Sequence, residues 1–177
     1  MHTDRLVELA TTVKTAVYSD DWLLPDKKEL LARWVAPLAI DGTIVAGLTL
    51  HIEVPLWRLG EFDRLTARLT HRSGGYTWHL GRIEFAPNGP PPHHRHTHPK
   101  LMRSGLFPPS LDGPHAHLAE DNAILGPEAF RPPADLPAAR EIDWNGGFLN
   151  AISTISTLFC IEGLWCGDEL PWDRRLF

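Results

Sequence analysis

The spacing of hydrophobic residues changes twice along this chain, and those changes constrain its fold more than any other feature. In residues 3–17 and again in 26–35, apolar residues recur every three or four positions, which is typical of amphipathic helices. After the turn signal Asp41-Gly42 they alternate at every second position, which is typical of half-buried strands. The helical spacing returns in residues 148–162. The sequence therefore predicts an α+β domain.

The predicted sheet has four antiparallel strands, with the last helix packed on one face. The strands are expected at residues 43–54, 63–71, 76–86 and 114–119. In the third of them the apolar residues change parity at Gly81. Because one extra residue moves every later side chain to the other face, we predict a bulge or a close backbone approach at Gly81. The bulge would direct Arg82 and Glu84 to the same side of the sheet.

Length and composition indicate one domain over residues 1–177. We expect a helical part over 1–40, a sheet core over 41–120, and a C-terminal helix with an aromatic tail over 144–177. The net charge of −5 does not support nucleic-acid binding through a broad basic surface. Two cysteines, the absence of an apolar leader and the lack of a long apolar run lead us to expect a cytoplasmic protein outside the membrane.

A proline-rich insert within residues 90–122 carries most of the histidines. The six in this stretch are His93, His94, His96, His98, His115 and His117. Loops this long in a compact domain are usually functional or disordered. Since His115 and His117 are two residues apart, a strand would point both imidazoles to one face, as binding of one metal ion requires.

The predicted cofactor is a divalent transition metal such as zinc. Its candidate ligands are His115, His117, His94, His96 and Glu120. Such a set leaves coordination positions open for water and substrate. In a metal-free alternative, His115 and His117 act as general acid and base while Arg82 holds a phosphate group. The metal-binding and the metal-free hypotheses both predict a hydrolase or nuclease. A third hypothesis is that the histidines form only a structural hydrogen-bond cluster or an exposed tract.

Three short motifs resemble those of small, uncharacterised bacterial domains. They are Arg82-Ile83-Glu84, Asn88-Gly89-Pro90 and Gly113-Pro114-His115-Ala116-His117. In those domains an Arg-x-Asp strand and an Asn/Gly turn precede a Gly-Pro-His-x-His strand and a C-terminal helix. The likeness covers residues 76–161 and departs from the pattern in having Glu84 instead of aspartate. It implies a bacterial, cytoplasmic protein in a toxin or defence context, with a cognate protein partner and no assigned activity.

The predicted order of elements is also similar to the ubiquitin-conjugating fold. That fold has its nucleophilic cysteine after the Pro-His loop, and the sequence has no cysteine between Gly113 and Ile142. This resemblance implies a non-catalytic interaction module. Its contact surface would be the aromatic C-terminal tail, with Trp165, Trp172 and Phe177.

Overall fold

The computed structural model describes five parts of the chain, which contain ten strands and four helices. The described residues are 1–17, 22–23, 31–55, 64–85 and 94–167. The strands are β1 (Lys14–Ala16), β2 (Leu31–Ile40), β3 (Thr43–Pro55), β4 (Leu65–Ser73), β5 (Tyr76–Phe85), β6 (His94–Arg95), β7 (Ser110–Leu111), β8 (His115–Leu118), β9 (Arg140–Glu141) and β10 (Ile161–Glu162). The helices are α1 (Thr3–Thr11), α2 (Pro99–Ser104), α3 (Ala119–Asn122) and α4 (Phe148–Leu158), with 3-10 turns at Ala123–Leu125 and Pro127–Phe130.

Eight of the strands form one mixed sheet in the order β10-β1-β2-β3-β4-β5-β8-β9, and β6 pairs separately with β7. Within the large sheet β1 and β10 are parallel, whereas the other neighbours are antiparallel. The prediction of a four-stranded antiparallel sheet is therefore wrong, although the α+β class holds. Four strands are added to the prediction, of which β2 was expected to be partly helical. The other three, β1, β9 and β10, have only two or three residues each, too few for a detectable alternation.

The N-terminal part is less helical than predicted. Helix α1 ends at Thr11, and β1 follows within the segment that was expected to stay helical. The second predicted helix is wrong in its described part, since residues 31–35 belong to β2, while residues 26–30 lie outside the described chain. Small apolar residues explain the error, because Ala32 and Ala36 are buried on the same side as Trp34 and complete an alternating pattern.

The C-terminal helix is confirmed, but it is shorter than predicted. Helix α4 ends at Leu158, and Cys160 then has a positive φ of 53°, which turns the chain into β10. The buried side of α4, with Phe148, Ile152 and Ile155, belongs to the hydrophobic core.

The two faces of the sheet differ in chemistry. The core face carries large buried side chains, including Trp34, Leu50, Ile52, Leu69, Ile83 and Phe85. The alternating positions of the same strands form the other face, which we call the polar face. Two rows of paired residues cross it in register: Arg33, Glu53, Thr66, Glu84 and His115, and then His51, Arg68, Arg82 and His117. The fold therefore places His115 and His117 of β8 in two neighbouring rows of polar side chains.

The predicted bulge near Gly81 is confirmed. On β4, Leu69 pairs with Gly81 but the next residue, Thr70, pairs with His79, so Leu80 is the extra residue on β5. As a result Leu80 and Ile83 both face the core, and Arg82 faces the polar side. The close approach is also present, because a Cβ atom at position 81 would overlap the ring of Phe159.

We predict that Gly81→Ala lowers the free energy of unfolding by about 1–3 kcal/mol, the usual cost of overpacking a core. The backbone at Gly81 does not have a positive φ, so the cost arises from the contact with Phe159. Urea unfolding of Gly81→Ala in the native and the Phe159→Leu backgrounds measures this coupling. An equal cost in both backgrounds would show that Phe159 is not the cause.

Candidate functional site

Three histidines meet on the polar face. The register between β5 and β8 places His117 opposite Arg82 and His115 opposite Glu84, and β6 brings His94 beside them. One ring nitrogen of each histidine lies within 4.8 Å of the others. We call His94, His115 and His117 the histidine cluster. The prediction that His115 and His117 project to one side, within reach of another insert histidine or Arg82, is confirmed.

Backbone carbonyls fix the protonation of each ring in the histidine cluster. Nδ1 of His117 donates to Leu136 O (2.6 Å), Nδ1 of His115 donates to Gly113 O (2.8 Å) and Nε2 of His94 donates to Pro137 O (3.0 Å). Because a carbonyl oxygen only accepts, each of these nitrogens carries a hydrogen. When a ring is neutral, its lone pair therefore lies on the other nitrogen, which is Nε2 in His115 and His117 and Nδ1 in His94.

Burial keeps two of these rings neutral at pH 7. It is the main reason that the pKa of His94 falls from its ordinary value of 6.5 to about 4. Burial, followed by the positive charge of Arg82, lowers the pKa of His117 to about 2. His117 is fully buried and His115 is almost so. Neutral imidazole is the form that binds metals and accepts protons.

Arg82 joins the histidine cluster to two carboxylates. Its Nη2 donates to Nε2 of His117 at 2.9 Å, and its Nη1 donates to Oδ2 of Asp135 at 2.5 Å. Its Nε lies 3.1 Å from Oε1 of Glu84. The other oxygen of Glu84 is 3.9 Å from Nε2 of His115. Thus the predicted site residues Arg82, His115, His117 and His94 do lie together.

Sequence reasoning missed Asp135 and His79. Nδ1 of His79 makes a short hydrogen bond to the Asp135 carboxylate. That bond, and then the charge of Arg82, lowers the pKa of Asp135 to about 2. The alternation of β5 would have placed His79 opposite Trp78, on the polar face, whereas Asp135 lies in a segment without periodicity.

Two predicted ligands lie outside the histidine cluster. Nδ1 of His96 donates to Pro108 O, and its Nε2 accepts from the backbone N–H of Ala139 at 3.0 Å, so both ring nitrogens are in use. Glu120 pairs with Arg140 at 3.2 Å, and its side chain is 44% exposed. The geometry therefore does not support His96 or Glu120 as ligands. His93 lies outside the described residues.

Residues 135–139, which we call the carbonyl segment, are held by side chains and by backbone groups. The segment has no strand or helix, and its side-chain bonds run to His79 and Arg82 through Asp135, to His117, to His94 and to His96. The backbone N–H of Leu136 also donates to Ala129 O at 2.7 Å. Asn122 adds two bonds to the backbone of Ala138, at 2.8 and 3.0 Å. Asp135 and Leu136 have positive φ values of 48° and 56°. Such conformations cost about 1–3 kcal/mol each and persist only where surrounding contacts enforce them.

The histidine cluster fits a divalent metal in its donor chemistry. A metal-binding histidine usually donates its second ring nitrogen to a carbonyl or carboxylate, which orients the first nitrogen toward the ion. All three rings satisfy that condition. Tetrahedral zinc with Zn–N distances of about 2.0 Å requires nitrogens about 3.3 Å apart, so a modest contraction of the cluster is needed. The same bonds would also suit a metal-free structural cluster.

Comparisons with protein-family models, with curated proteins and with solved structures found no match for this chain. The resemblances drawn from short motifs therefore remain predictions. Among the described residues, no helix has the length and apolar character needed to cross a membrane.

We predict that the metal-free protein loses stability as the pH falls below about 6.5, well before ordinary carboxylates titrate. The folded-state pKa values of His94 and His117 are depressed, so the unfolded chain binds protons that the folded chain excludes. Their contribution is complete above the unfolded pKa and is lost as the pH falls toward the folded values. Urea unfolding between pH 7 and pH 4.5 should show an uptake to which His94 and His117 contribute about two protons. His51 and His71, whose pKa values burial also lowers, add to that uptake.

The matched variant His117→Gln should reduce that uptake by about one proton. An unfolding free energy that stays flat from pH 7 to pH 5 would contradict the predicted depression of both pKa values.

Proposed function

We propose that the protein is a metal-dependent hydrolase whose metal centre is formed by His94, His115 and His117. The observation that carries this proposal is the hydrogen bonding of the three rings. Each donates one nitrogen to a backbone carbonyl, and one nitrogen of each lies within 4.8 Å of the others. In protein metal sites, a hydrogen bond from the second ring nitrogen to a carbonyl or carboxylate orients the histidine toward the ion in the same way.

Three nitrogen ligands leave one position for water in a four-coordinate centre. A bound zinc-like ion supplies Lewis acidity, which makes water a nucleophile near neutral pH. The carboxylate of Glu84, 3.9 Å from Nε2 of His115, would be the nearby general base when an ion and its water are bound. Arg82 contributes a positive charge that suits an anionic substrate.

A phosphodiester is the substrate class to assay first. Hydrolysis of an anionic ester uses the positive charge of Arg82, and the resemblance to bacterial defence-related domains points to nucleic acid as a source. The net charge of −5 does not favour a broad nucleic-acid surface, so short oligonucleotides and small phosphodiesters are better probes than long duplexes. The toxin or defence context and the cognate protein partner belong to this proposal too.

The metal centre predicts that protein purified without a histidine tag contains about one divalent ion per chain. His115→Ala or His117→Ala should reduce this to less than about a tenth, because each removes one of three ligands. His98→Ala is the matched control, since Nδ1 of His98 accepts a hydrogen bond at the start of α2, outside the histidine cluster. Elemental analysis by mass spectrometry measures all four proteins.

If the rings are only structural, wild-type protein binds no metal even when divalent ions are added. His117→Ala would then lower the free energy of unfolding by about 1–3 kcal/mol, by leaving its buried partners unsatisfied. Phosphodiester hydrolysis by the metal-free wild type, lost in His117→Ala, would instead favour general acid–base catalysis with Arg82 as the phosphate-binding residue.

The second candidate function is a non-catalytic interaction module. One observation favours it: Trp165, a predicted contact residue of the aromatic tail, is 52% exposed. Trp172 and Phe177, the other predicted contact residues, lie outside the described chain. A metal-free wild type that forms a stable complex with one co-expressed protein, and loses it in Trp165→Ala, would support this function over hydrolysis.

A further inference from the structure

We propose that Arg82 and a metal ion compete for Nε2 of His117, so that Arg82 sets the affinity of the histidine cluster for metal. This inference rests on the proposed function, because it concerns the same three rings. It is carried by a single hydrogen bond, in which Nη2 of Arg82 donates to Nε2 of His117 at 2.9 Å.

His117 has only one lone pair to offer. Its Nδ1 carries the hydrogen that is donated to Leu136 O at 2.6 Å, so the ring accepts only through Nε2. The lone pair on that nitrogen binds either an N–H group or a metal ion. His117 and Leu136 are both fully buried, which prevents the ring from turning to present its other nitrogen. Metal binding therefore requires Arg82 to leave His117.

Arg82 has partners to which it can turn. Its Nη1 already donates to Asp135. Its Nε lies 3.1 Å from a Glu84 oxygen but makes no hydrogen bond to any described residue. A rotation of the guanidinium away from His117 would bring Nε and Nη2 into hydrogen-bond geometry with Glu84. The positive charge thus stays between two carboxylates while the metal takes the lone pair.

The test is zinc affinity, measured by competition with a chromophoric chelator, for the full chain and two variants. Arg82→Met keeps the length of the side chain but cannot donate, so zinc should bind roughly 10- to 100-fold more tightly, which is the value of one hydrogen bond to a charged group. Arg68→Met is the matched control. Arg68 lies opposite Arg82 on β4, pairs with Glu53 at 2.7 Å and has no contact with the histidine cluster. It should change zinc affinity by less than about threefold.

Two results would overturn the competition: unchanged or weaker zinc binding by Arg82→Met, or equal tightening by Arg68→Met, which would assign the effect to net charge alone. If the wild type binds zinc and Arg82→Met does not differ from it, the metal centre stands and only the competition fails. If neither protein binds zinc, the proposed function fails as well. Zinc binding by Arg82→Met alone would be the strongest support.

Circular dichroism checks that Arg82→Met is folded. If it is not, Arg82→Lys replaces it, because an ammonium group keeps the charge for Asp135 and Glu84 but lacks the planar fork that reaches Asp135 and His117 together. Zinc binding should again tighten, by at least about threefold. Affinity equal to that of the wild type would overturn the competition.

Discussion

The hydrogen bonds between the buried histidines and the carbonyl segment hold together the polar half of this structure. Residues 135–139 form no strand or helix, yet Leu136, Ala138 and Ala139 are fully buried. Buried backbone groups must be paired, and here imidazoles, the Asn122 amide and the carbonyl of Ala129 provide the partners. The dependence is mutual, because carbonyls of this segment also decide which nitrogen of His94 and of His117 carries the hydrogen. Removing the segment would therefore leave these two rings of the histidine cluster without a fixed orientation, whereas His115 is held by Gly113 O.

This arrangement explains why a largely neutral cluster can lie among charged residues. Burial disfavours the imidazolium form of His94 and His117, and Arg82 adds to that effect at His117. The guanidinium itself is balanced by Asp135 and Glu84. The site thus brings together imidazole lone pairs, the guanidinium of Arg82 and the carboxylates of Asp135 and Glu84. These are the groups that water activation and anion binding require, and they are also groups that a stable polar core would contain.

Local patterns determined how much of the fold and site could be predicted. The bulge at Gly81, the common face of His115 and His117 and the existence of α4 all follow from periodicities of a few residues. The parallel pairing of β1 with β10 could not be predicted, since it joins Lys14 to Ile161 through strands of three and two residues. Small alanines hid the alternation of β2, so its start was taken for a helix.

The insert histidines differ in their hydrogen bonding, and this difference also depends on tertiary contacts. His94 and His96 are two residues apart in the same insert, and both were predicted as ligands. Only the position of the carbonyl segment decides that His94 keeps a lone pair while His96 uses both nitrogens. Asp135 reaches His79 and Arg82 across more than fifty residues of chain, and no local pattern marks it.

The central claim is that backbone carbonyls orient the three imidazoles of the histidine cluster for one metal ion. Long-range ¹⁵N–¹H NMR of the histidine rings at pH 7 tests it most directly, because it identifies the protonated nitrogen of each ring. The account predicts the Nδ1–H form for His115 and His117 and the Nε2–H form for His94, with zinc shifting only the opposite nitrogens. Imidazolium rings, mixed tautomers, or spectra that do not respond to zinc would contradict it.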